Sequence, residues 1–190
     1  MKALEEKILA EGQVLPGNVL KVGSFLNQNI DTAFMMEMGR EIAALYKDAG
    51  VTRILTIEAS GIALAFAAGV CLNVPLVFAK KSKTANVSGR VLTAQIHSYT
   101  HGNDFTAVVP ADYLKPGDRV LLADDFLANG EALRGLREIV AQAGAEAVGA
   151  AIAIEKGFQG GGDALRAQGF RVESLAIVET MSDTGLSFRH

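Results

Sequence analysis

The chain is 190 residues long and 49% hydrophobic, enough for one sizeable core and at most a small accessory lobe, so a single domain over residues 1–190 is expected. Its formal net charge of −3 weighs against a general nucleic-acid or membrane-surface binder, and its single cysteine, Cys71, has no partner for an internal disulfide and suits a reducing compartment. No apolar run approaches the roughly 18 residues a membrane span needs, and residues 1–12 lack the apolar stretch of a signal peptide, so a soluble cytoplasmic protein is expected.

Residues 3–11 have the spacing of a short amphipathic helix, and VLPGNVLKV reads as a turn and an extended piece ending near Val22. The amide-rich stretch from Ser24 to Ile30 predicts an irregular connection. Asp31 stands at an N-cap position, with Phe34, Met35, Met38, Ile42, Leu45 and Ala49 at helical spacing before a stop at Gly50. Arg53 to Ile57 predicts a strand, Glu58 to Gly61 a turn, and Ile62 to Leu72 an apolar helix of small residues. Val74 to Ala79 is the next strand. Lys80 to Arg90 is polar and basic without apolar periodicity and reads as a mobile loop. Val91–Tyr99 and Phe105–Val109 flank the turn HGND as a hairpin. The strand–helix–strand order returns from Val120, through a helix over 131–143, to a strand over Val148–Ile154, and Phe170–Val178 is a last extended segment. This alternation predicts an α/β fold with a central parallel sheet and right-handed crossovers.

The most informative stretch is VLLADDFLANGEA, residues 120–132. An apolar run reaches Asp124 and Asp125, then a short loop with Gly130, and an amphipathic helix begins at once. Free backbone N–H groups and the positive end of the helix dipole favour an anion such as phosphate there. Two acids beside a phosphate site make sense when the ligand also carries hydroxyls and a divalent metal. Taken on spacing alone, the same stretch also fits a plain strand–turn–helix with an acidic cap. Neither a GxxxxGK[ST] loop nor a GxGxxG turn after a strand is present, so dinucleotide binding and ordinary ATP hydrolysis are poor fits.

In an open parallel sheet, ligands bind beyond the carboxyl ends of the strands, so three further segments should border that loop. Glu58-Ala59-Ser60-Gly61 has small residues that let backbone N–H groups approach a second anion, though it also fits an ordinary tight turn. Lys80, Lys81 and Lys83 form a basic segment able to close over a pyrophosphate, or simply a solvated charge run. Lys156 with Phe158 offers a cation and a ring for a flat, oxygen-bearing base, or a surface turn. His97 and His101 have the spacing of a helix face but fall in the predicted hairpin without a third ligand, which disfavours a metal hydrolase.

Taken together, these residues resemble those of the type I phosphoribosyltransferase family, whose motif is two acids followed by a phosphate-cradling loop, as in DDFLANGEA. LKVGSFLNQNID, TIEASGIA, VPLVFAKK, DDFLANGEALRGL and GFRVESLAIV extend the likeness over nearly the whole chain and place it with the bacterial branch that uses xanthine. The commonest family pattern has threonine where Asn129 and Ala132 stand, and the xanthine branch resembles this chain in its ANGxA loop. The resemblance implies a central parallel sheet flanked by helices, a small hood built from both termini, and a flexible loop. It also implies transfer from phosphoribosyl pyrophosphate to xanthine, a dependence on magnesium (Mg2+), and a homodimer.

On that footing, Asp124 and Asp125 are the expected catalytic pair, fixing the ribose hydroxyls and favouring the positive charge that develops at the sugar. The 5′-phosphate should rest on Ala128, Asn129, Gly130, Glu131 and Ala132. Pyrophosphate should sit between Glu58, Ala59, Ser60 and Gly61 and Lys81, the lysine coming from this chain or across a dimer. The resemblance places Leu20, Asn27 and Lys156 on the purine. A lysine only donates, which favours a 6-oxo group over the amino group of adenine. The competing readings are a regulator that senses phosphoribosyl pyrophosphate, and a transferase for guanine, hypoxanthine or adenine. A DNA-binding regulator should carry a winged-helix extension or a basic face, and neither is visible.

Overall fold

The computed structural model describes residues 1–82, 89–98, 103–182 and 185–190. Most of the expected mobile loop and the hairpin turn, with His101, lie outside the described residues. The elements run α1 (Lys2–Glu11), β1 (Gln13–Leu15), β2 (Val19–Lys21), α2 (Thr32–Tyr46), β3 (Arg53–Ile57), α3 (Gly61–Leu72), β4 (Leu76–Ala79), β5 (Val91–Ser98) and β6 (Asn103–Pro110). They continue with β7 (Arg119–Leu127), α4 (Glu131–Gln142), β8 (Glu146–Lys156), α5 (Gly161–Ala167), β9 (Val172–Ser182) and β10 (Gly185–Phe188).

Six strands form the central sheet in the order β10-β9-β8-β7-β3-β4. All neighbours pair in parallel except β10, which returns antiparallel to β9. From β3 the chain moves outward to β4, whereas from β7 it moves the other way through β8 to β9. The strand order therefore reverses between β3 and β7, and a crevice opens beyond their carboxyl ends.

Alternation along each strand sends side chains to opposite faces and builds two cores. Leu121 and Ala123 of β7, Ile54 of β3 and Ala151 and Ala153 of β8 join α1, α2 and α3 in one core. Val120, Leu122, Leu55, Ala150 and Ile152 join α4, α5 and the β5–β6 hairpin in the other. Helix α2 crosses α3 closely because Gly39 lacks a side chain; a Cβ there would lie 2.7 Å from the backbone of Ala67. Gly135 does the same for α4 against the hairpin, where a Cβ would meet Ile96 at 2.6 Å.

Asp31 caps α2 as expected, its carboxylate accepting the N–H of Phe34 at 3.1 Å. Four expectations change. The connection at Ser24–Ile30 begins as a wide helical turn over Gly23–Asn27, with Phe25 and Leu26 buried and Asn29 donating to the Gly23 carbonyl. Strand β4 starts at Leu76 rather than Val74, after Pro75, which has no N–H to give a ladder. Strand β7 continues past both acids to Leu127, so Phe126 and Leu127 belong to the sheet and not to the loop, and Asp124 lies opposite Ile152 of β8. Helix α5 and strand β10 are additional elements, each too short for a clear period.

Candidate active site

The acids at the end of β7 lie in the crevice and are nearly closed to solvent, Asp124 at 7% exposure and Asp125 at 6%. Asp124 Oδ1 accepts the backbone N–H of Asp125 at 3.0 Å. Asp125 Oδ1 accepts the Ser60 hydroxyl at 2.8 Å, and its Oδ2 accepts the Asn27 amide at 2.9 Å. Burial, reinforced by the neighbouring Asp125 charge, pushes the Asp124 carboxyl well above the usual carboxylate range, with the N–H of Asp125 and the Lys81 charge opposing. One acid is thus held by neutral donors, while burial beside a second carboxylate makes the charged form of the other costly.

Residues 128–132 turn from β7 into α4. Gly130 supplies the left-handed backbone of the turn, at φ +87°, and no side chain caps the helix. An uncapped helix start presents backbone N–H groups to whatever fills the cleft. Arg134 braces the loop from below, donating to the Asn129 carbonyl at 3.0 Å and pairing with Glu131. Behind the loop, Gly161 of α5 packs directly on backbone. A Cβ there would collide with the Ala128 carbonyl oxygen and lie 2.5 Å from the Asn129 carbonyl carbon. Gly162 in turn leaves no gap to the carboxylate of Glu155, which is 1% exposed and held by a two-pronged bond from Arg166 at 2.9 and 2.6 Å.

Across the crevice, Ser60 stands at the start of α3, yet its hydroxyl does not cap the helix and goes to Asp125 instead. The Glu58–Ala59 peptide is cis. Glu58 donates its own N–H to Ala79 and accepts the N–H of Lys81 at 2.7 Å, which ties the turn after β3 to the end of β4. The Lys81 ammonium lies 5.2 Å from the Phe105 ring centroid. One cleft is lined by Glu58, Ser60, Lys81, both acids and the whole of 128–132. Lys81 therefore lies in its own chain's cleft. Ala59 and Gly61 shape the turn without lining the cleft.

Leu20, Asn27 and Lys156 do not line that cleft, but Asn27 and Lys156 adjoin its Asp125–Phe126 end. Asn27 bonds Asp125, and the Lys156 ammonium lies 5.6 Å from the Phe126 ring centroid while donating to the Asn18 carbonyl at 2.9 Å. Burial lowers the pKa of Lys156. Leu20 on β2 is buried. The ring beside Lys156 is Phe126, between the acids and the loop, whereas the sequence pointed to Phe158, which lies on the following turn with its side chain partly exposed.

Sequence reasoning missed Phe126, Arg134, Gly161 and the hairpin residues Ile96 and Phe105, and weighed His97, which lines the cleft with these two, only as a poor metal ligand. Arg134, three residues after Glu131, was visible as a helix-face pair. His97 pairs with Asp104 across the hairpin. Among the described residues no three His, Cys, Asp or Glu side chains gather to hold a metal.

Residues 27–163 match the model of the phosphoribosyl transferase domain. The chain is 52% identical to xanthine phosphoribosyltransferase of Lactobacillus delbrueckii subsp. bulgaricus, over 99% of this chain and all of that protein. It is also 52% identical to the enzyme of the same name from Bifidobacterium longum, over the full length of both. In fold it is similar to adenine phosphoribosyltransferase of Giardia lamblia, at a TM-score of 0.78 and 23% identity over 94% of this chain and 98% of that one. Adenine phosphoribosyltransferase of Rhodothermus marinus gives a TM-score of 0.75 at 20% identity, over 94% of this chain and all of the other.

Proposed function

The chain belongs to the phosphoribosyltransferase family, and from that premise we propose that it is a purine salvage transferase. It joins xanthine to phosphoribosyl pyrophosphate and yields xanthosine 5′-monophosphate and pyrophosphate. One observation carries this reading: two buried carboxylates face an uncapped helix start across a single cleft. That arrangement suits a ligand with a diol at one place and a phosphate a few ångströms away.

In this reading the 5′-phosphate rests on the backbone N–H groups of 128–132, and Asp124 and Asp125 hold the 2- and 3-hydroxyls. Their charge favours the positive character that builds on the ribose as pyrophosphate leaves C1. Pyrophosphate lies between the Glu58–Gly61 turn and Lys81. Magnesium suits this donor set, because two carboxylates are what a cation carried mainly by water and substrate oxygens requires. Asp124 and Asp125 would hold it, and when bound it neutralises charge on the departing pyrophosphate. The nucleophile is a purine nitrogen. Xanthine is acidic enough near neutrality that no dedicated general base is assigned.

Base choice rests on Lys156, a donor that prefers a 6-oxo group, and Asn27, whose amide suits a 2-oxo group. Guanine and hypoxanthine lack that 2-oxo group, and a polar site rejects partners that leave its buried groups unpaired. Large apolar side chains stand exposed at Phe66 and Val70 on α3, Phe78 on β4 and Tyr113, and exposed apolar surface of this kind supports a homodimer as the working form. A lone cysteine suits the cytoplasm as the working compartment.

Steady-state kcat/KM for xanthine, guanine, hypoxanthine and adenine, with phosphoribosyl pyrophosphate and magnesium, tests the proposal. Xanthine should rank first. A higher value with adenine discards the base assignment, and no turnover with any base favours a regulator that only senses the pyrophosphate.

A further inference from the structure

Asp125 is a buried acid whose two oxygens are each taken by a side chain from a different part of the molecule. Ser60 comes from the turn after β3, and Asn27 comes from the end of the wide turn at Gly23–Asn27, 98 residues away in the sequence. A buried carboxylate without donors is costly, so the empty site keeps Asp125 satisfied with groups from the protein. A sugar diol brings two new O–H donors to the same acids.

We propose that Asn27 is a shared donor: it holds Asp125 while the sugar site is empty, and passes to the purine when the ribose hydroxyls take its place. The proposal rests on the reading that the diol sits on the acids and that Asn27 faces the base. Before the sugar arrives, the amide is engaged with a charged acceptor, the stronger kind of hydrogen bond, and the base must compete for it. Afterwards the amide is free to pair with an oxo group beside Lys156 and Phe126. Occupancy of the sugar site thereby sets affinity at the base site, with reciprocal coupling in the other direction.

Calorimetric titration of xanthine into the full-length protein, with and without saturating ribose 5-phosphate, reads this coupling. Ribose 5-phosphate should tighten xanthine binding about tenfold, equivalent to about 1.4 kcal/mol. The Asn27→Ala variant should lose that gain. Asp125→Ala should bind xanthine without the sugar as tightly as the native protein does with it, because the amide is released permanently. In the Asn27→Ala/Asp125→Ala double variant that advantage should vanish.

An advantage that persists in the double variant comes from deleting negative charge and overturns the proposal. So does an unchanged xanthine affinity when ribose 5-phosphate is added to the native protein, a comparison that needs no variant to fold. If Asn27→Ala binds xanthine as tightly as the native protein in the presence of the sugar, Asn27 does not touch the base. That result overturns the proposal, whereas turnover of the native protein with xanthine tests the proposed transferase function separately.

Discussion

Gly61 and Asp124 are packed so closely that a Cβ on the glycine would lie 2.8 Å from Oδ1 of the acid. The same Cβ would strike the Thr56 hydroxyl, a buried group without a hydrogen-bond partner among the described residues. The absence of a side chain at the start of α3 is therefore what lets β7 place its first acid in the crevice.

Gly61→Ala should move Asp124 off the ribose hydroxyls, and because Thr56 is fully buried the added methyl should also cost about 1–3 kcal/mol of stability as overpacking. A displacement near 1 Å costs about 100-fold in turnover. The expected result is a fall in kcat of that order with a lowered melting temperature but a protein still folded at the assay temperature. Steady-state kinetics paired with thermal denaturation measures both.

Asp124→Asn should separate activity from stability. The folded-state pKa of Asp124 is raised, so between the unfolded value near 4 and the folded value the native state holds more protons than the unfolded one. Stability from this group is present at low pH and declines as pH rises through that window. The amide keeps the oxygen that accepts the Asp125 N–H but carries no charge. At pH 7 the variant should be more stable than the native protein, with little added stability at pH 4, and should be nearly inactive. Denaturant melts at the two pH values check the sign.

Gly161→Ala tests the support behind the phosphate loop. With no room for a Cβ against Ala128 and Asn129, the loop must shift toward the cleft. The KM for phosphoribosyl pyrophosphate should rise about 10- to 100-fold, while affinity for the base changes little. Arg166→Met should act differently, because it leaves the buried Glu155 without its partner. A loss of about 3 kcal/mol or more of stability is expected. Kinetics and denaturant melts on both variants separate a misplaced loop from a weakened fold.

Phe66→Asp places a charge on the most exposed apolar ring of α3, at 61% exposure. If this face joins two copies, sedimentation should show monomers for the variant and dimers for the native chain.

The sheet, its strand–helix alternation and the acid–loop motif were legible because each rests on local pattern. Val120–Leu122 alternates into two cores, Gly130 stands where a left-handed turn is needed, and Asp31 caps α2 through its own side chain. What the sequence hid was partnership across distance. No spacing rule links Asn27 to Asp125, Gly161 to Ala128, or Glu155 to Arg166 through a glycine-rich turn. The ring beside Lys156 was assigned to Phe158 because it is near in sequence, whereas parallel pairing of β7 with β8 brings Phe126 there.

In the proposed function, the neighbouring acids of β7 grip the ribose while the phosphate lies on the start of α4. Product formation from xanthine and phosphoribosyl pyrophosphate by the Asp124→Asn/Asp125→Asn variant tests it most directly, with a melting curve as the check on folding. The variant should fold, and its turnover should fall by at least about 1,000-fold, the scale of losing preorganised charge at the reacting centre. Turnover at the native rate would contradict it.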